Sequence, residues 1–415
     1  MNSFRKLYKL SFYFITLIVF VFGGFLQYLL GISNTIITFL ILIITYVVYF
    51  LYILIKKKVV INNIVFFAVT YVSIIYFSAF INGCDIISTN IYLLFPLLPL
   101  GVFLFCYINH RENIISYDKI FKMFYYIAMI QLPLLLTQTY FFDFLIQFNN
   151  SGQVINWFDF MFGSFFIKSD HSLALFLLFI IINILLNRRN FKGRLKYPWF
   201  SVLYLSLSIL FTESNISKAF LIVLLAISIL FPIYEKHKSS LKFKVIALLM
   251  MAVLASVAFN MSDSEFVEKR FGGSLEGQFS IKTAQRQFDL GYAKRSQILI
   301  MMVKKIETKW IGDGPYSYFD IRTGEFKQTQ HFTQIIWTYF DLGLIGLFII
   351  FGYIFSIIKY LDIKRGWPKF IFVSVIFIYA FYTTIFSDIA IMLSLMTVFN
   401  KKENYSNNRV LVEKK

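Results

Sequence analysis

Residues 35–58 read TIITFLILIITYVVYFLYILIKKK, an apolar run that ends in three lysines. A helix of about 20 residues crosses a hydrocarbon core of about 30 Å, because each residue adds about 1.5 Å. Residues 35–55 carry no charge, so they predict a membrane-spanning helix. Lys56–Lys58 predict its cytoplasmic end, since lysine and arginine are enriched on that side of a membrane.

The whole chain shares the composition of this run. Of its 415 residues, 58% are hydrophobic, 20% are aromatic and only 15% are charged. Soluble domains are about 45–50% apolar and about 25% charged. We therefore expect an all-α polytopic integral membrane protein.

Apolar runs separated by polar breaks predict about twelve transmembrane helices. They lie near residues 10–30, 35–55, 62–81, 91–108, 120–141, 170–187, 198–212, 218–234, 245–260, 332–358, 370–386 and 388–400. Only Ser387-Asp388 separates the last two, so a re-entrant hairpin is an alternative for that pair. The predicted organisation is helices 1–9 in residues 1–260, a large outer loop at 261–331, helices 10–12 in residues 332–400 and a tail at 401–415.

The net charge of +18 has a distribution that argues against nucleic-acid binding. Lysine and arginine occur mainly in short clusters between apolar runs, which is the positive-inside pattern of membrane proteins. With the N-terminus and the C-terminus in the cytoplasm, the basic breaks fall inside and the long, less basic loops fall outside. The first span has no small-residue cleavage site, so we expect it to be retained. The clusters are Arg5/Lys6/Lys9, Lys56–Lys58, Arg188/Arg189/Lys192/Arg194/Lys196, Lys236/Lys238/Lys242/Lys244 and Lys364/Arg365/Lys369.

Motifs for nucleotides and metals are absent from the sequence. There is no Walker-type loop, no dinucleotide fingerprint, no HExxH and no Cys/His ligand cluster. The two cysteines, Cys84 and Cys106, cannot form a metal site by themselves, and nothing supports a disulfide between them. We expect neither a metal nor a cofactor.

The predicted outer loop at 261–331 is less apolar than the rest of the chain. It contains Arg270, Arg286, Arg295 and Arg322. Apolar residues at helical spacing in the tract Ala284–Trp310 predict an amphipathic helix at the outer interface, with Arg295 near its beginning. Gly312-Asp313-Gly314-Pro315 then predicts a turn that lets the loop fold back over the membrane.

His331 ends this loop, directly before the tenth predicted span. One interpretation is structural: an interfacial histidine that caps the start of a helix. The other is catalytic, because imidazole has an ordinary pKa of about 6.5 and can act as a general base near neutral pH. The arginines and the glycine-rich turn in the same loop favour the catalytic interpretation.

The loop arginines are candidate ligands for a diphosphate. Guanidinium suits phosphate because its planar fork donates two parallel hydrogen bonds and keeps its charge. The positive-inside rule gives no reason to collect arginines in an outer loop. A lipid that bears a pyrophosphate would give a reason for arginines in this loop.

Lys218 ends the short outer break Glu213–Lys218 between the seventh and eighth spans. One interpretation is a lysine whose charged end reaches the membrane surface. The other is a functional charge at the edge of a helix bundle. Asp170-His171, at the outer end of the sixth span, is a weaker case of the same kind, for which we expect a structural role.

The order of these residues resembles the O-antigen polymerase/O-antigen ligase superfamily of bacterial envelope glycosyltransferases. Members of that superfamily commonly show a Ser-Arg pair opening a span, an arginine in a large outer loop, a Gly-x-Gly turn, a histidine and a Glu-x-Gly-x-x-Gly segment. The corresponding residues are Ser217-Lys218, Arg295, Trp310–Pro315, His331 and Asp341–Gly346. The resemblance covers residues 217–346, with Lys218 in place of arginine and Asp341 in place of glutamate.

The resemblance implies a C-type glycosyltransferase-like fold in the bacterial inner membrane and a metal-independent reaction at its periplasmic face. The implied donor is an undecaprenyl-diphosphate-linked oligosaccharide. Arg295, with Lys218 and Arg322, would neutralise the diphosphate, and Arg270 or Arg286 is the alternative for the role of Arg295. His331 would take the proton from an acceptor hydroxyl. Membrane lipid and a chain-length regulator protein are the further partners that the family implies.

Three functions are compatible with the sequence. A repeat-unit polymerase for O-antigen, capsule or exopolysaccharide is the leading hypothesis, and an O-antigen ligase that uses lipid A–core as acceptor is the first alternative. A transporter such as a lipid-linked oligosaccharide flippase is the second. A transporter predicts charges within the spans and pseudo-symmetric halves, whereas the notable charges here concentrate at the outer ends of the spans.

Overall fold

A computed structural model describes residues 2–186, 195–212, 214–230, 281–290, 297, 300–301, 309–317, 319–320, 325–326, 333–361, 363 and 367–399. Nearly all of the regular structure in these residues is helical. The helices, in chain order, are α1 (Asn2–Leu17), α2 (Gly23–Leu30), α3 (Asn34–Lys56), α4 (Asn63–Ile81), α5 (Ile86–Tyr92), α6 (Leu94–Glu112), α7 (Tyr117–Tyr140), α8 (Phe142–Leu145), α9 (Asp170–Leu186), α10 (Pro198–Phe211), α11 (Asn215–Leu230), α12 (Ile281–Asp289), α13 (Gln334–Tyr360), α14 (Trp367–Tyr382) and α15 (Ile389–Val398). A π-helical turn at Ile18–Phe22 joins α1 to α2, and 3-10 turns occur at Ile146–Phe148 and Trp157–Phe160. The strands β1 (Phe319–Asp320) and β2 (Glu325–Phe326) form a short antiparallel pair, with Asp320 opposite Glu325.

Six helical segments in this part of the chain are long and apolar enough to cross a membrane. Each covers one predicted span, and several shorter apolar helices accompany them. This confirms the helical, membrane-protein character predicted from composition. The predicted ninth span, at 245–260, lies outside the described residues, so the count of twelve stays a prediction. The six segments are Asn2–Leu30, Asn34–Lys56, Asn63–Ile81, Ile86–Glu112, Tyr117–Tyr140 and Gln334–Tyr360.

Contacts sort the helix ends into two groups. At one end, Lys56 Nζ of α3 lies 3.0 Å from Glu112 Oε1 of α6. Asn183 of α9 donates hydrogen bonds of 2.8 Å to the Tyr117 hydroxyl and 2.9 Å to the Val398 carbonyl. We call this the basic end, because Lys56–Lys58, Arg111 and Lys196 lie there. We call the opposite end of the bundle the site end. It is formed by the starts of α9, α11, α13 and α15 and by the ends of α4 and α14.

Helix α15 lies in the centre of the bundle. All of its residues are buried, and it packs against α6, α7 and α9. Its sequence, IAIMLSLMTV, is apolar on every side, which is the pattern of a helix surrounded by other helices. Its start lies at the site end, where Asp388 accepts a hydrogen bond from Ser172 of α9. Its last residue, Val398, accepts a hydrogen bond from Asn183 near the end of α9, so α15 runs from the site end toward the basic end.

The segment before α9 enters the bundle instead of lying over it. Most of the side chains in residues 161–167 are buried, although this segment is not helical. Its backbone is satisfied by helix side chains: Gln27 Oε1 accepts from Ile167 N (2.8 Å) and Gln131 Oε1 from Ser164 N (3.1 Å). A Cβ on Gly24 would lie 2.5 Å from the Phe165 carbonyl oxygen, so only glycine permits this approach. The second half of the predicted outer break at 142–169 therefore fixes the position at which α9 begins.

Candidate functional site

Helix α13 is interrupted at Gly343, which has φ 71° and ψ −160°. The interruption leaves carbonyl groups on one side and N–H groups on the other without partners in their own helix. The segment 309–317, in the predicted outer loop, supplies both sets. Asp313 N and Gly314 N donate to the carbonyls of Phe340 (2.8 Å) and Asp341 (3.0 Å).

The same segment accepts hydrogen bonds from the second half of α13. The N–H of Leu344 donates to the Lys309 carbonyl at 3.0 Å, and the N–H of Ile345 donates to the Trp310 carbonyl at 3.2 Å. The stretch Trp310–Pro315 thus joins the two halves of a broken helix. Sequence analysis predicted a turn that folds the loop over the membrane, and the structure gives the turn this more specific role.

Glycine is required on both sides of this contact. A Cβ on Gly312 would lie 2.4 Å from the Phe340 carbonyl oxygen, and a Cβ on Gly343 would lie 2.6 Å from the Trp310 carbonyl oxygen. A Cβ on Gly314 would lie 2.2 Å from the Cys84 sulfur. Gly312 of the loop turn and Gly343 of the Asp341–Gly346 segment therefore lie on the two sides of one backbone contact. In the sequence these are two separate motifs.

Asp341 holds the docked segment through its carboxylate. One oxygen accepts from Tyr316 N (3.2 Å), and the other accepts from Ser317 N (3.2 Å) and Ser317 Oγ (2.7 Å). The carboxylate is fully buried, so these donors take the place of water around it. Asn82 of α4 adds a hydrogen bond of 2.9 Å from its side-chain amide to the Gly312 carbonyl.

Aromatic rings close the space beneath the docked segment. The Tyr316 ring lies 5.0 Å from the Tyr92 ring and 5.5 Å from the Trp337 ring, and Phe95 lies 5.7 Å from Trp337. Burial raises the pKa of the Tyr316 hydroxyl, and Asp341 and Tyr71 raise it further, so this hydroxyl stays protonated. The cluster excludes water from the contact between loop and helix.

A second polar cluster surrounds Lys218 at the start of α11. The Ser214 hydroxyl lies 2.9 Å from His171 Nδ1 and 2.6 Å from the Ser217 hydroxyl, which in turn hydrogen-bonds the Tyr379 hydroxyl of α14. The chain His171–Ser214–Ser217–Tyr379 therefore links the first turns of α9 and α11 to the last turn of α14. Each hydroxyl can both donate and accept, so the chain can adjust to either tautomer of the imidazole.

The charges beside this chain are Asp170 and Lys218. Asp170 Oδ2 lies 3.5 Å from His171 Nδ1, and the Asp170 carboxylate also acts electrostatically on Lys218. Lys218 is half-buried, and its backbone N–H donates to the Ser214 carbonyl at 3.1 Å. A half-buried cation close to a carboxylate and an imidazole is an arrangement that can bind an anionic group.

An apolar cavity of about 130 Å³ lies between α9, α11 and α14. Its α11 lining is Phe220, Val223 and Leu224. With 3.6 residues per turn, these positions lie on the opposite side of α11 from Lys218. The cavity therefore belongs to the apolar packing of the three helices and is separate from the polar cluster.

The two clusters are connected through Gln334 in the first turn of α13. Its side-chain oxygen accepts from Phe386 N at 3.1 Å, and its backbone N–H donates to the Thr383 carbonyl at 3.2 Å. Phe386 and Thr383 lie in the connection between α14 and α15, which ends at Asp388. The Asp388 carboxylate accepts a hydrogen bond from Ser172, the residue after His171.

The structure places two of the predicted site residues. Lys218 joins the cluster described above. Arg286 is exposed on α12, whose Ala284 and Phe288 pack against Ile336 of α13. Among the described residues no contact between Lys218 and Arg286 is recorded. Arg270, Arg295, Arg322 and His331 lie outside the described residues, so their assignments stay predictions.

The most informative residue that sequence analysis ranked low is His171. Asp170-His171 was expected to have a structural role, and the structure puts both residues beside Lys218. The available signal was position: the start of the sixth predicted span and the short break before the eighth fall at the same predicted membrane face. Periodicity could not reveal the contact, because His171 and Ser214 are far apart in the chain.

The described residues contain no group of three or more His, Cys, Asp or Glu side chains that could hold a metal ion. Among the described residues, neither Cys84 nor Cys106 is part of a disulfide.

Comparison with known proteins adds no family assignment. No protein-family model, curated protein or solved structure matches this chain. The resemblance to the O-antigen polymerase/ligase superfamily therefore rests on the motifs in residues 217–346 alone.

Proposed function

We propose that this chain is a membrane glycosyltransferase that uses a glycan linked to undecaprenyl diphosphate, and that it acts as a repeat-unit polymerase. One observation carries the proposal. The polar cluster around Lys218 and the docked segment that leads toward His331 share one end of the bundle, opposite the basic end. A transferase for a charged lipid needs its cations and its base at the membrane surface where both substrates meet.

The positive-inside rule supports the orientation in this proposal. Lys56–Lys58, Arg111 and Lys196 mark the basic end as cytoplasmic, which makes the site end periplasmic. The complete protein then has about twelve spans, cytoplasmic termini and a location in the inner membrane. Nucleotide sugars and ATP are cytoplasmic compounds, so a periplasmic donor must carry its own leaving group, which the lipid diphosphate provides.

The reaction that we propose is displacement at the anomeric carbon of the donor. An acceptor hydroxyl forms the new bond to that carbon, and the bond from the carbon to the diphosphate oxygen breaks. The lipid diphosphate leaves with the electron pair, and His331 takes the proton of the attacking hydroxyl. Arg295 and Lys218 stabilise the charge on the leaving diphosphate, with Arg322, Arg286 and Arg270 as further candidate ligands.

Lys218 is the candidate ligand that the described structure supports directly. Its lysine side chain keeps a positive charge without the bidentate fork of arginine. The neighbouring hydroxyls of Ser214 and Ser217 and the imidazole of His171 can supply additional hydrogen bonds. This arrangement offers a reason why lysine suffices at a position where the superfamily commonly has arginine.

The experiment that tests the function uses purified full-length protein and lipid-linked repeat units, with and without lipid A–core. Longer glycans on undecaprenyl diphosphate indicate the polymerase, and glycan on lipid A–core indicates the ligase. Neither product, combined with movement of the lipid-linked donor across proteoliposome membranes, indicates the transporter. We expect elongation that continues in EDTA, and a strict metal requirement would contradict the proposed mechanism.

A further inference from the structure

The first turn of α13 contains polar groups without partners. Thr333 is the residue that precedes the helix, at the position where a threonine side chain commonly caps the first N–H groups. Its side chain makes no capping hydrogen bond. The Thr333 hydroxyl oxygen is buried, and in the part of the chain that the structure describes it has no hydrogen-bond partner.

Gln334 adds a second group of this kind. Its side-chain oxygen is engaged by Phe386 N, which fixes the orientation of the amide. The amide nitrogen, Nε2, is buried and makes no hydrogen bond of ordinary geometry to a described residue, although its side chain acts electrostatically on the Tyr71 hydroxyl. Both residues are fully buried, with a relative accessible surface of 0%.

Buried polar groups are nearly always hydrogen-bonded, so two orphaned groups in consecutive residues need an explanation. The groups share one chemical property. The amide nitrogen is a donor and the hydroxyl can donate. The Gln334 N–H already donates to the Thr383 carbonyl, but the next N–H groups of the first turn are donors without intrahelical acceptors. The helix dipole adds partial positive charge at the same place.

We propose that the first turn of α13 is a binding site for a phosphoryl oxygen. An anionic oxygen is the acceptor that such a set of donors binds best, as it does at the N-terminus of many helices. The nearest carboxylates do not occupy the site: Asp388 caps α15 and accepts from Ser172, and Asp341 accepts from Tyr316 and Ser317. The identification of the oxygen as part of the donor's diphosphate rests on the proposed function.

The position of the turn favours this ligand. Gln334 connects directly to the α14–α15 turn, and from there Asp388 and Ser172 lead to His171 beside Lys218. A diphosphate has several anionic oxygens and can be bound from more than one helix. The first turns of α11 and α13 would then hold the same leaving group.

The test uses purified full-length protein and inorganic pyrophosphate as the probe. Thr333→Val removes the hydroxyl at constant shape. Gln334→Glu keeps the oxygen that accepts from Phe386 and replaces the donor with a carboxylate oxygen. The control is Thr338→Val, because the Thr338 hydroxyl is already used, donating to the Gln334 carbonyl at 2.8 Å and lying 3.2 Å from the Tyr71 hydroxyl.

Ligand-induced shifts in melting temperature measure the affinity for pyrophosphate. We expect Thr333→Val and Gln334→Glu each to weaken binding about tenfold or more, since a hydrogen bond to a charged group is lost. Thr338→Val should bind within about twofold of the natural protein, because the orphaned groups are intact. Equal affinity in all four proteins, or no binding by the natural protein, would overturn the proposal.

The unliganded proteins give a second, independent readout. Removing an orphaned hydroxyl should leave the melting temperature unchanged or raise it, whereas removing the bonded hydroxyl of Thr338 should lower it. If Thr333→Val lowers the melting temperature as much as Thr338→Val, the Thr333 hydroxyl has a partner such as a trapped water, and the site is refuted. Thr333→Ala serves in place of Thr333→Val if the valine variant does not fold.

The failures of the two proposals are distinguishable. Pyrophosphate binding that is lost in the variants, without any glycan transfer by the natural protein, supports the site and refutes the transferase. Glycan transfer with the same donor KM in Thr333→Val and Gln334→Glu supports the transferase and refutes the site.

Discussion

The imidazole of His171 ties the start of α9 to the start of α11. It does so through one contact, at 2.9 Å, between Nδ1 and the buried Ser214 hydroxyl. Ser214 precedes α11 and accepts the N–H of Lys218, so its position determines where the first turn of α11 lies. A change at residue 171 is therefore transmitted to Lys218 through Ser214.

The substitution His171→Ala should lower the free energy of unfolding by about 1 kcal/mol, because the Ser214 hydroxyl loses a partner. His171→Asn should restore much of this loss, since an asparagine amide can reach the position of Nδ1. Thermal unfolding in detergent measures both variants. Equal melting temperatures for alanine and asparagine at this position would show that the hydrogen bond contributes nothing.

Lys218 should be sensitive to loss of charge and tolerant of arginine. Lys218→Met should raise the KM for the lipid-linked donor about tenfold or more, because a charged hydrogen-bond donor to phosphate disappears. Lys218→Arg keeps the charge and adds the bidentate fork, so its KM should stay close to that of the natural protein. Steady-state kinetics with purified donor measures these values, and an unchanged KM in Lys218→Met would remove the residue from the proposed site.

His331→Ala should abolish long glycan chains while the protein stays inserted, because the attacking hydroxyl loses its proton acceptor. The glycan ladder on a gel and the amount of protein in the membrane are the two readouts. His110→Ala is the matched control, since His110 lies at the basic end. Normal ladders in His331→Ala would exclude His331 from the mechanism.

Arg295→Lys should also shorten the glycan ladder, because lysine keeps the positive charge but lacks the bidentate fork of arginine.

Element boundaries show what an apolar pattern can predict. The predicted span at 35–55 corresponds to α3, Asn34–Lys56, because a long uncharged run ended by lysines has one stable solution in a membrane. The interruption at Gly343 was not predicted, since Leu342, Leu344 and Ile345 continue the apolar run through it. Its partner is the segment 309–317, and pattern analysis cannot pair a helix with a distant loop.

Gly343→Ala should be strongly destabilising. At φ 71° and ψ −160°, Gly343 occupies a backbone region that is essentially restricted to glycine. Its Cβ would also lie 2.6 Å from the Trp310 carbonyl oxygen, so the docked segment would have to move. We expect a loss of more than about 2 kcal/mol in the free energy of unfolding, measured by denaturation in detergent.

Gly152→Ala separates the two causes of this loss. Gly152 has a similar φ of 70°, but a Cβ there would have nothing within 4 Å. Alanine at 152 should therefore cost only about 1–2 kcal/mol, the usual penalty for a left-handed backbone. If the two alanine variants were equally stable, close approach of the loop to α13 would not be what fixes glycine at position 343.

On the scale of the whole molecule, the arrangement of charge is asymmetric. Much of the net charge of +18 comes from short clusters, and those in the described part of the chain lie at the basic end. The described part of the site end has fewer basic residues, among them Lys168, Lys218 and Arg286, and several buried hydroxyl and amide groups. Composition could predict the class of protein and the direction of the helices, but it could not bring His171, Ser214 and Tyr379 together, because that depends on how α9, α11 and α14 pack.

This asymmetry predicts the orientation in the membrane. Lysine and arginine are retained on the cytoplasmic side, so the basic end should be cytoplasmic and the site end periplasmic.

Labelling of two exposed positions tests this orientation. Lys58 lies at the basic end, in the α3–α4 connection, and Gln153 lies at the site end, in the α8–α9 connection. In a background in which Cys84 and Cys106 are replaced by alanine, Gln153→Cys should react with a membrane-impermeant maleimide added to intact spheroplasts. Lys58→Cys should react only after the membrane is permeabilised. The reverse pattern would place the Lys218 cluster in the cytoplasm, where nucleotide sugars are available, and would remove the main reason for a lipid-linked donor.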